Sequence, residues 1–376
     1  MTEKNAVLNV ATEVEEINFY DPEKSQIDLD GLASVSKETK KSMAKIDDGQ
    51  IRIIIDTYYQ TQAHRKALAN QIREYRSGRD STNSAESIDA IEWLLLDVTN
   101  RENQIKKMIA EYVKNVDVCR WAEANKGIGP VFAANLLTHI DMSKCKHANQ
   151  FLSYAGLNDN NVPWLGKDKA TKLMDEIYKD LNMKDSDKAN FEVFQEISKR
   201  TNRTVHNVNE SFKRHKKKDT HNYNDKTILI KWLSMPPYNT ELKSMCYLIG
   251  ESFCKNANRG SYYGELYKER KALETIQNEN LAYSEQAKRE LKEKNYSKDT
   301  DTYKYLIQGK LSPAHIDRRA KRWATKIFLT HFFEACWIYT HGTKPPVIYP
   351  IAHMDHVDRI EPEVPFEKFI KYRGDK

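Results

Sequence analysis

Apolar residues recur along most of this chain at spacings of three and four, and clear period-two alternation is nearly absent. That pattern belongs to amphipathic helices rather than strands. Ile54, Tyr58, Ala63, Ala67 and Ile72 predict a helix from Ile51 to about Arg76. Ser77 to Ser84 is polar and reads as a loop. Ile88, Ile91, Leu95, Val98, Ile105, Ile109 and Val113 predict a second long helix from Ala85 to about Val116. Together they make a helical hairpin or coiled-coil arm over residues 46–117. Such an arm can fold back on itself or pair with a second copy of the chain, and the pattern favours neither. Residues 1–45 lack periodicity and are rich in Glu, Lys, Ser and Asp, which predicts a flexible tail.

Beyond the arm the elements are shorter. Helices are predicted near 118–125, 130–138 and 147–153, then a loop over 158–168 and a helix from Lys169 to about Leu181. Phe191 to Ser198 predicts another helix. Thr201-Asn202-Arg203 reads as a turn, and Thr204 as the cap of a helix that carries Val205, Val208 and Phe212 inward. Its opposite face would show His206, Asn207, Asn209 and Arg214, the outline of a helix-turn-helix. Leu242, Met245, Leu248, Ile249 and Phe253 mark a helix from Thr240 to about Asn256. A charged helix runs from Tyr262 to about Leu291, and a last long one from Ala314 to Tyr339. From Gly342 onward five prolines make residues 341–376 an irregular tail. The fold class is therefore mostly α: the arm, then a helical domain over 118–340 that contains an inserted basic segment at 166–232.

Within that domain one motif stands out, Lys126-Gly127-Ile128-Gly129-Pro130 followed by an apolar run. A tight Gly-containing turn that opens a helix is the pattern of a helix-hairpin-helix spanning 118–157. Glycine permits turn dihedrals and close backbone approach. Proline suits the first helical position, where its missing N–H costs nothing. The exposed amides at such a helix start can hold a phosphate. The residues expected to do so are Lys126, Gly127, Ile128 and Gly129.

Charge reinforces that expectation. The net charge of +6 over 376 residues is modest, but it is unevenly spread. Residues 199–218 hold Lys199, Arg200, Arg203, Lys213, Arg214, Lys216, Lys217 and Lys218 against Glu210. Residues 310–326 hold Lys310, Arg318, Arg319, Lys321, Arg322 and Lys326 against Asp317. Two such blocks suit a polyanion, although either is also consistent with a solvated helix face. From them Arg203 and Arg214, and His315 with Arg318, Arg319 and Arg322, are the candidate DNA contacts. A mean hydropathy of −0.76 and the lack of any long apolar run argue against a membrane span. No charged-then-apolar leader opens the sequence, and five scattered cysteines suit a reducing interior, so a cytoplasmic or nucleoid location is expected.

The order of motifs resembles a known family. Gly127-Ile128-Gly129-Pro130, then Phe151-Leu152-Ser153-Tyr154-Ala155-Gly156-Leu157, is similar to the C-terminal domain of insertion-sequence transposases of the one-ten/one-sixteen/nine-oh-two type. Asn239-Thr240-Glu241-Leu242-Lys243 resembles that family's next helix start, and Tyr262-Tyr263 its tyrosine pair before a charged helix. The helix beginning Ala314-His315-Ile316-Asp317-Arg318 is similar to its closing basic helix. The resemblance covers roughly residues 85–340. It implies DNA binding and strand exchange in transposition, with a structured RNA as partner. It implies magnesium only where the chain is catalytic.

The family's chemistry needs an RNase-H-like domain whose acidic residues hold magnesium, and a serine shortly after the Ala-Gly-Leu segment. Neither is recognisable here. Arg52-Ile53-Ile54-Ile55-Asp56 looks like an opening strand, yet the following residues continue as helix. About 60 residues remain before the arm ends, too few for a domain of the usual ~100. After Leu157 no hydroxyl residue occurs until Thr171. Ser153 lies before Gly156, in a helix expected to pack. His353, Asp355, His356 and Asp358 could gather a metal but read more simply as a solvated loop. His139, Cys145 and His147 lack zinc-site spacing. Tyr262-Tyr263 could stack on bases or fill the core. The reading is thus a DNA-binding transposase- or recombinase-like protein of a mobile element or phage; the alternative is a non-catalytic, all-helical oligomeric scaffold.

Overall fold

The computed structural model describes residues 34–77, 89–158, 162–221, 223–343, 345–346 and 359–371. Among them are fifteen α-helices and no strand. The mostly-α reading of the sequence is therefore what the chain adopts.

Three helices open the described chain: α1 (Lys37–Ser42), α2 (Asp48–Arg76) and α3 (Asp89–Val113). Asp47 starts α2 by a reciprocal box, its carboxylate accepting from the Gln50 amide at 2.8 Å while the Gln50 side chain accepts from Asp47 N. Ile51, Ile55 and Tyr58 on α2 are buried, as are Val98, Ile109 and Val113 on α3, so the two helices share an apolar seam. Glu102 lies in that seam and accepts from Gln62 at 3.1 Å and from Arg65. Residues 34–45 depart from the flexible-tail expectation. They form α1 and a 3-10 turn, and Met43 is buried in the main core. A single well-placed methionine carries no periodicity, which is why the pattern missed it.

Next come α4 (Asp117–Glu123), α5 (Pro130–His139) and α6 (Ala148–Tyr154). The main core runs through them to helices much later in the chain. Four further helices intervene: α7 (Lys167–Asp180), α8 (Phe191–Thr201), α9 (Val205–Lys216) and α10 (Asp225–Ser234). Their buried residues, among them Met174, Ile177, Phe194, Val208, Phe212 and Leu229, form a second core that shares no buried residue with the first. The basic segment at 166–232 is thus a folded unit with its own apolar centre.

The chain then returns through α11 (Thr240–Asn256), α12 (Tyr262–Glu279), α13 (Ser284–Glu293), α14 (Asp301–Leu306) and α15 (Pro313–His341). Phe253 of α11, Tyr263 of α12 and Phe328 and Phe332 of α15 meet Trp121 and Phe151 in the main core. Residues 359–371 are mostly irregular but not loose. Phe366 and Ile370 are buried, and Val364 O accepts from Trp121 Nε1 at 2.8 Å. No helix among the described residues is long and apolar enough to cross a membrane.

Candidate nucleic-acid interface

The turn between α4 and α5 is anchored on its inner side. Asn125 is buried and donates to Trp121 O at 2.8 Å, and Ile128 N donates to Asn125 O at 3.0 Å. Gly127 has φ +107, and a Cβ there would stand 3.0 Å from the Phe253 ring. Only glycine fits that backbone without strain. Two hydroxyls bind the turn to neighbouring helices: Ser252 Oγ donates to Gly127 O at 2.6 Å, and Ser261 Oγ to Lys126 O at 2.8 Å. Ile128 points inward and is buried.

The outer side differs. Gly129 caps α5 with an ordinary extended φ of −92, and a Cβ there would meet nothing within 4 Å. Pro130 occupies the first turn, so no N–H is wasted. No side chain caps the first amides of α5. The Lys126 ammonium donates to Arg259 O at the 3-10 turn after α11 and stays exposed. Lys126, Gly127, Ile128 and Gly129 thus divide into two groups. Gly127 and Ile128 hold the turn in place, whereas Lys126 and the Gly129 end of α5 face outward.

The Ala155-Gly156-Leu157 corner meets the start of α11. Gly156 has φ +66, and a Cβ would come within 2.8 Å of the Tyr238 ring. Asn239 N donates to Tyr154 O at 2.8 Å, and the Asn239 side chain caps α11 at Leu242 N, also at 2.8 Å.

On α15 the basic block separates into faces. Arg319 Nε donates to Glu274 Oε2 at 2.6 Å. Glu274 is 2% exposed and also accepts from Arg270 and from Tyr283 OH at 2.6 Å. Burial would raise its pKa, but these donors outweigh burial and hold it low. Lys321 bridges Glu251 and Asp317 at 2.8 Å each, and Lys271 and Tyr267 OH complete the shell of Asp317. Those donors bring the Asp317 carboxyl down to about 2 against the burial that opposes them. His315 stands 3.6 Å from Glu290, and burial lowers its pKa against the pull of that carboxylate. Arg319 and His315 are therefore tied into the fold. Arg318 and Arg322 are exposed, and with Lys326 they form a row at i, i+4 and i+8. None of the three has a carboxylate partner among the described residues. Burial, with Arg322 beside it, lowers the Lys326 pKa.

On α9, Thr204 caps the helix through Asn207 N at 3.3 Å, and Val208 and Phe212 are buried as the sequence predicts. Arg214 is exposed and donates to Glu210 O and Ser211 Oγ. Arg203 lies in the turn before α9 and is half-buried. The α9 and α15 candidates stand on separate cores.

Other candidates resolve simply. Asp56 is an exposed residue inside α2. Tyr263 is fully buried and shares a 2.8 Å hydrogen bond with His331 Nδ1, so it belongs to the core. Ser153 is half-buried within α6. His353, Asp355, His356 and Asp358 lie outside the described residues. No group of three or more His, Cys, Asp or Glu side chains is gathered for a metal among the described residues. Sequence reading placed Lys326 in the basic block but not among the candidate contacts; it is half-buried, one turn beyond Arg322. Sequence reading missed Glu274, which sits 45 residues from Arg319 and has no local signal. No protein-family model, curated protein or solved structure matches this chain.

Proposed function

We propose that this chain binds DNA as a transposase- or recombinase-type protein, gripping the phosphate backbone through the α5 turn and the outer face of α15. The row of Arg318, Arg322 and Lys326 carries this reading. Like charges four residues apart on a helix repel. Neighbouring cations on the same helix are neutralised by Glu274, Asp317 and Glu251, whereas these three are not. A polyanion relieves such repulsion by releasing its own counterions. The open amides at Gly129 and the exposed Lys126 add a second phosphate contact of the same sequence-blind kind. The resemblance to the insertion-sequence transposases points the same way, and with it a structured RNA and magnesium-dependent chemistry belong to the wider proposal.

The test is equilibrium binding to linear and branched duplexes across salt concentrations. Log affinity should fall with log salt by roughly 0.9 for each phosphate contacted. Arg318→Gln with Arg322→Gln should flatten that slope by nearly two contacts while the helical circular dichroism stays unchanged. A slope near zero for the unmodified chain would sink the proposal. Nicking or a covalent adduct with magnesium, with or without RNA, would extend it to catalysis.

A second reading, an oligomeric scaffold, draws on Ile91, Trp93 and Leu94 of α3, exposed at 40%, 43% and 46%. Sedimentation of the full chain separates the two. A stable dimer that ignores DNA favours the scaffold.

A further inference from the structure

The unit built from α7 to α10 has a surface that the backbone-gripping reading does not use. Its second and third helices are joined by a three-residue turn. Asn202 takes the left-handed conformation with φ +52, and Arg203 N donates back to Ser198 O at 3.2 Å. Asparagine tolerates that region better than most residues. Ser198 Oγ donates to Arg203 O, and Thr204 begins α9 as its cap. Ile197, Val208 and a Phe194–Phe212 contact at 5.5 Å hold the two helices against the small core. Two helices on so short a turn, packed on a third element, have the plan of a helix-turn-helix.

The face of α9 turned away from that core carries His206, Glu210, Lys213 and Lys217, flanked by Asn209 and Arg214. His206, Lys213, Arg214 and Lys217 are exposed. The surfaces of α8 and α9 differ in charge. On α8, Lys199 pairs with Glu196, and Arg200 with Glu176, Asp180 and Glu196, so its cations are neutralised. On α9, Lys213 meets Glu210 at 3.1 Å, and Lys216 meets Asp225 at 2.5 Å, which ties the helix end to α10. Arg214, Lys217 and Lys218 have no carboxylate partner among the described residues. The outward face therefore has polar, hydrogen-bonding groups near the helix start and excess positive charge at its end.

Resting on the DNA-binding reading above, we infer that this unit is a sequence-reading head for duplex DNA, with α9 in the major groove. His206, Asn209, Glu210 and Lys213 face base edges, and Arg214, Lys217 and Lys218 meet the flanking phosphates. The chemistry of the row suits that place. An asparagine amide pairs with adenine N6 and N7, a lysine with guanine, and a carboxylate accepts from cytosine N4. Residues toward the start of the second helix are the ones that reach bases in this architecture, which suits His206, Asn209 and Glu210, with Lys213 one turn further on. Twelve residues of helix span roughly 18 Å, enough for three or four side chains to touch one stretch of groove. A-form RNA is excluded by shape, because its major groove is too deep and narrow for a helix to read. The division of labour is then physical. α5 and α15 supply affinity without sequence preference, and α9 supplies the preference.

The experiment uses the full chain. Duplexes are selected by binding from a random library, and the enriched site is compared with a scrambled duplex of equal length. Asn209→Ala and His206→Ala should each lower the ratio of specific to scrambled affinity by about 5- to 150-fold. Both should leave affinity for the scrambled duplex and the helical circular dichroism in place. Arg318→Gln should do the reverse, weakening both duplexes equally. An enriched site whose preference survives Asn209→Ala, His206→Ala and Lys213→Ala together overturns the inference. So does salt-sensitive binding with no enriched site, an outcome that leaves the backbone-gripping reading standing. Tighter binding to a structured RNA than to every duplex overturns it too. Absence of any binding to nucleic acid ends both readings.

Discussion

The helices α15 and α9 each carry a block of cations, and they dispose of that charge in different ways. On α15 the charges alternate in role around the helix. Arg319 pairs with Glu274 of α12, and Lys321 with Glu251 of α11 and with Asp317 one turn away on α15 itself, while Arg318 and Arg322 are exposed and Lys326 is half-buried. On α9 only Lys216 reaches another helix, pairing with Asp225 of α10 at 2.5 Å, and the other pairing is peripheral. Lys213 reaches back to Glu210 on the same exposed helix, and the helix is held by Val208 and Phe212. A basic block is thus two kinds of object. In α15 it is partly a fastening between helices, and in α9 it is a surface laid over an apolar fastening.

Removing one acid from each helix system would break or sharpen that contrast most. Glu274→Ala leaves Arg270 and Arg319 without their shared carboxylate and Tyr283 with Gln277 as its remaining acceptor. Deleting one member of a buried ion network costs about 3–5 kcal/mol. Urea unfolding should show that loss as a lower midpoint. Glu210→Ala on α9 should leave the midpoint where it is. Equal losses in the two variants would mean that the α9 charges fasten the fold as well.

The helices α2 and α3, the glycine turn before α5 and the cap at Thr204 were legible because each rests on local spacing or local turn chemistry. The partition of the α15 cations was not. Arg318 and Arg319 are neighbours in sequence, and what separates them is Glu274, placed by the packing of α12. The burial of Phe366 and Ile370 was hidden for a similar reason. Isolated apolar residues near prolines have no period, and Phe366 finds its seat against the buried Trp121 ring, 5.3 Å between centroids. The second core was partly visible, since α7, α8 and α9 were predicted, whereas α10 was not and nothing in the sequence said that the four helices close on one another.

α15 also has a buried pH-sensitive stretch that α9 lacks. His331 lies between Tyr263 OH and Ile360 O, and burial, helped by Arg359, brings its pKa from 6.5 down to about 4. The unfolded chain takes up this proton below 6.5 and the folded chain does not. Stability from this residue is complete above pH 6.5 and drains away as pH falls toward 4, by at most about 3 kcal/mol at 1.36 kcal/mol per unit. Glu334 runs oppositely. Burial raises its carboxyl to about 7 against the pull of Arg359, so its contribution is whole below 4.5 and lost as pH rises through 7. Thermal midpoints from pH 4 to 7 should show a shallower acid limb for His331→Gln than for the unmodified chain. Identical limbs would show that His331 does not carry the acid response.

The hairpin turn offers the smallest and most selective test, because its two glycines stand 2 residues apart and serve different ends. Gly127→Ala puts a Cβ at 3.0 Å from Phe253 on a backbone at φ +107, and strain of this kind costs about 1–3 kcal/mol. The same change at Gly129 adds a methyl group to open space at an ordinary φ, and stability should move by less than about 0.5 kcal/mol. Its effect should fall on the ligand instead. On the proposed grip, a phosphate oxygen would approach the amides of Val131 and Phe132 past that methyl group. Gly129→Ala should therefore weaken duplex binding severalfold at unchanged thermal midpoint, and Lys126→Gln should add to the loss. Unchanged binding in both variants would confine the backbone grip to α15 and leave the turn as a fastening between α5, α11 and α12. Loss of stability at Gly129 would show instead that the outer side of the turn is already occupied by the protein itself.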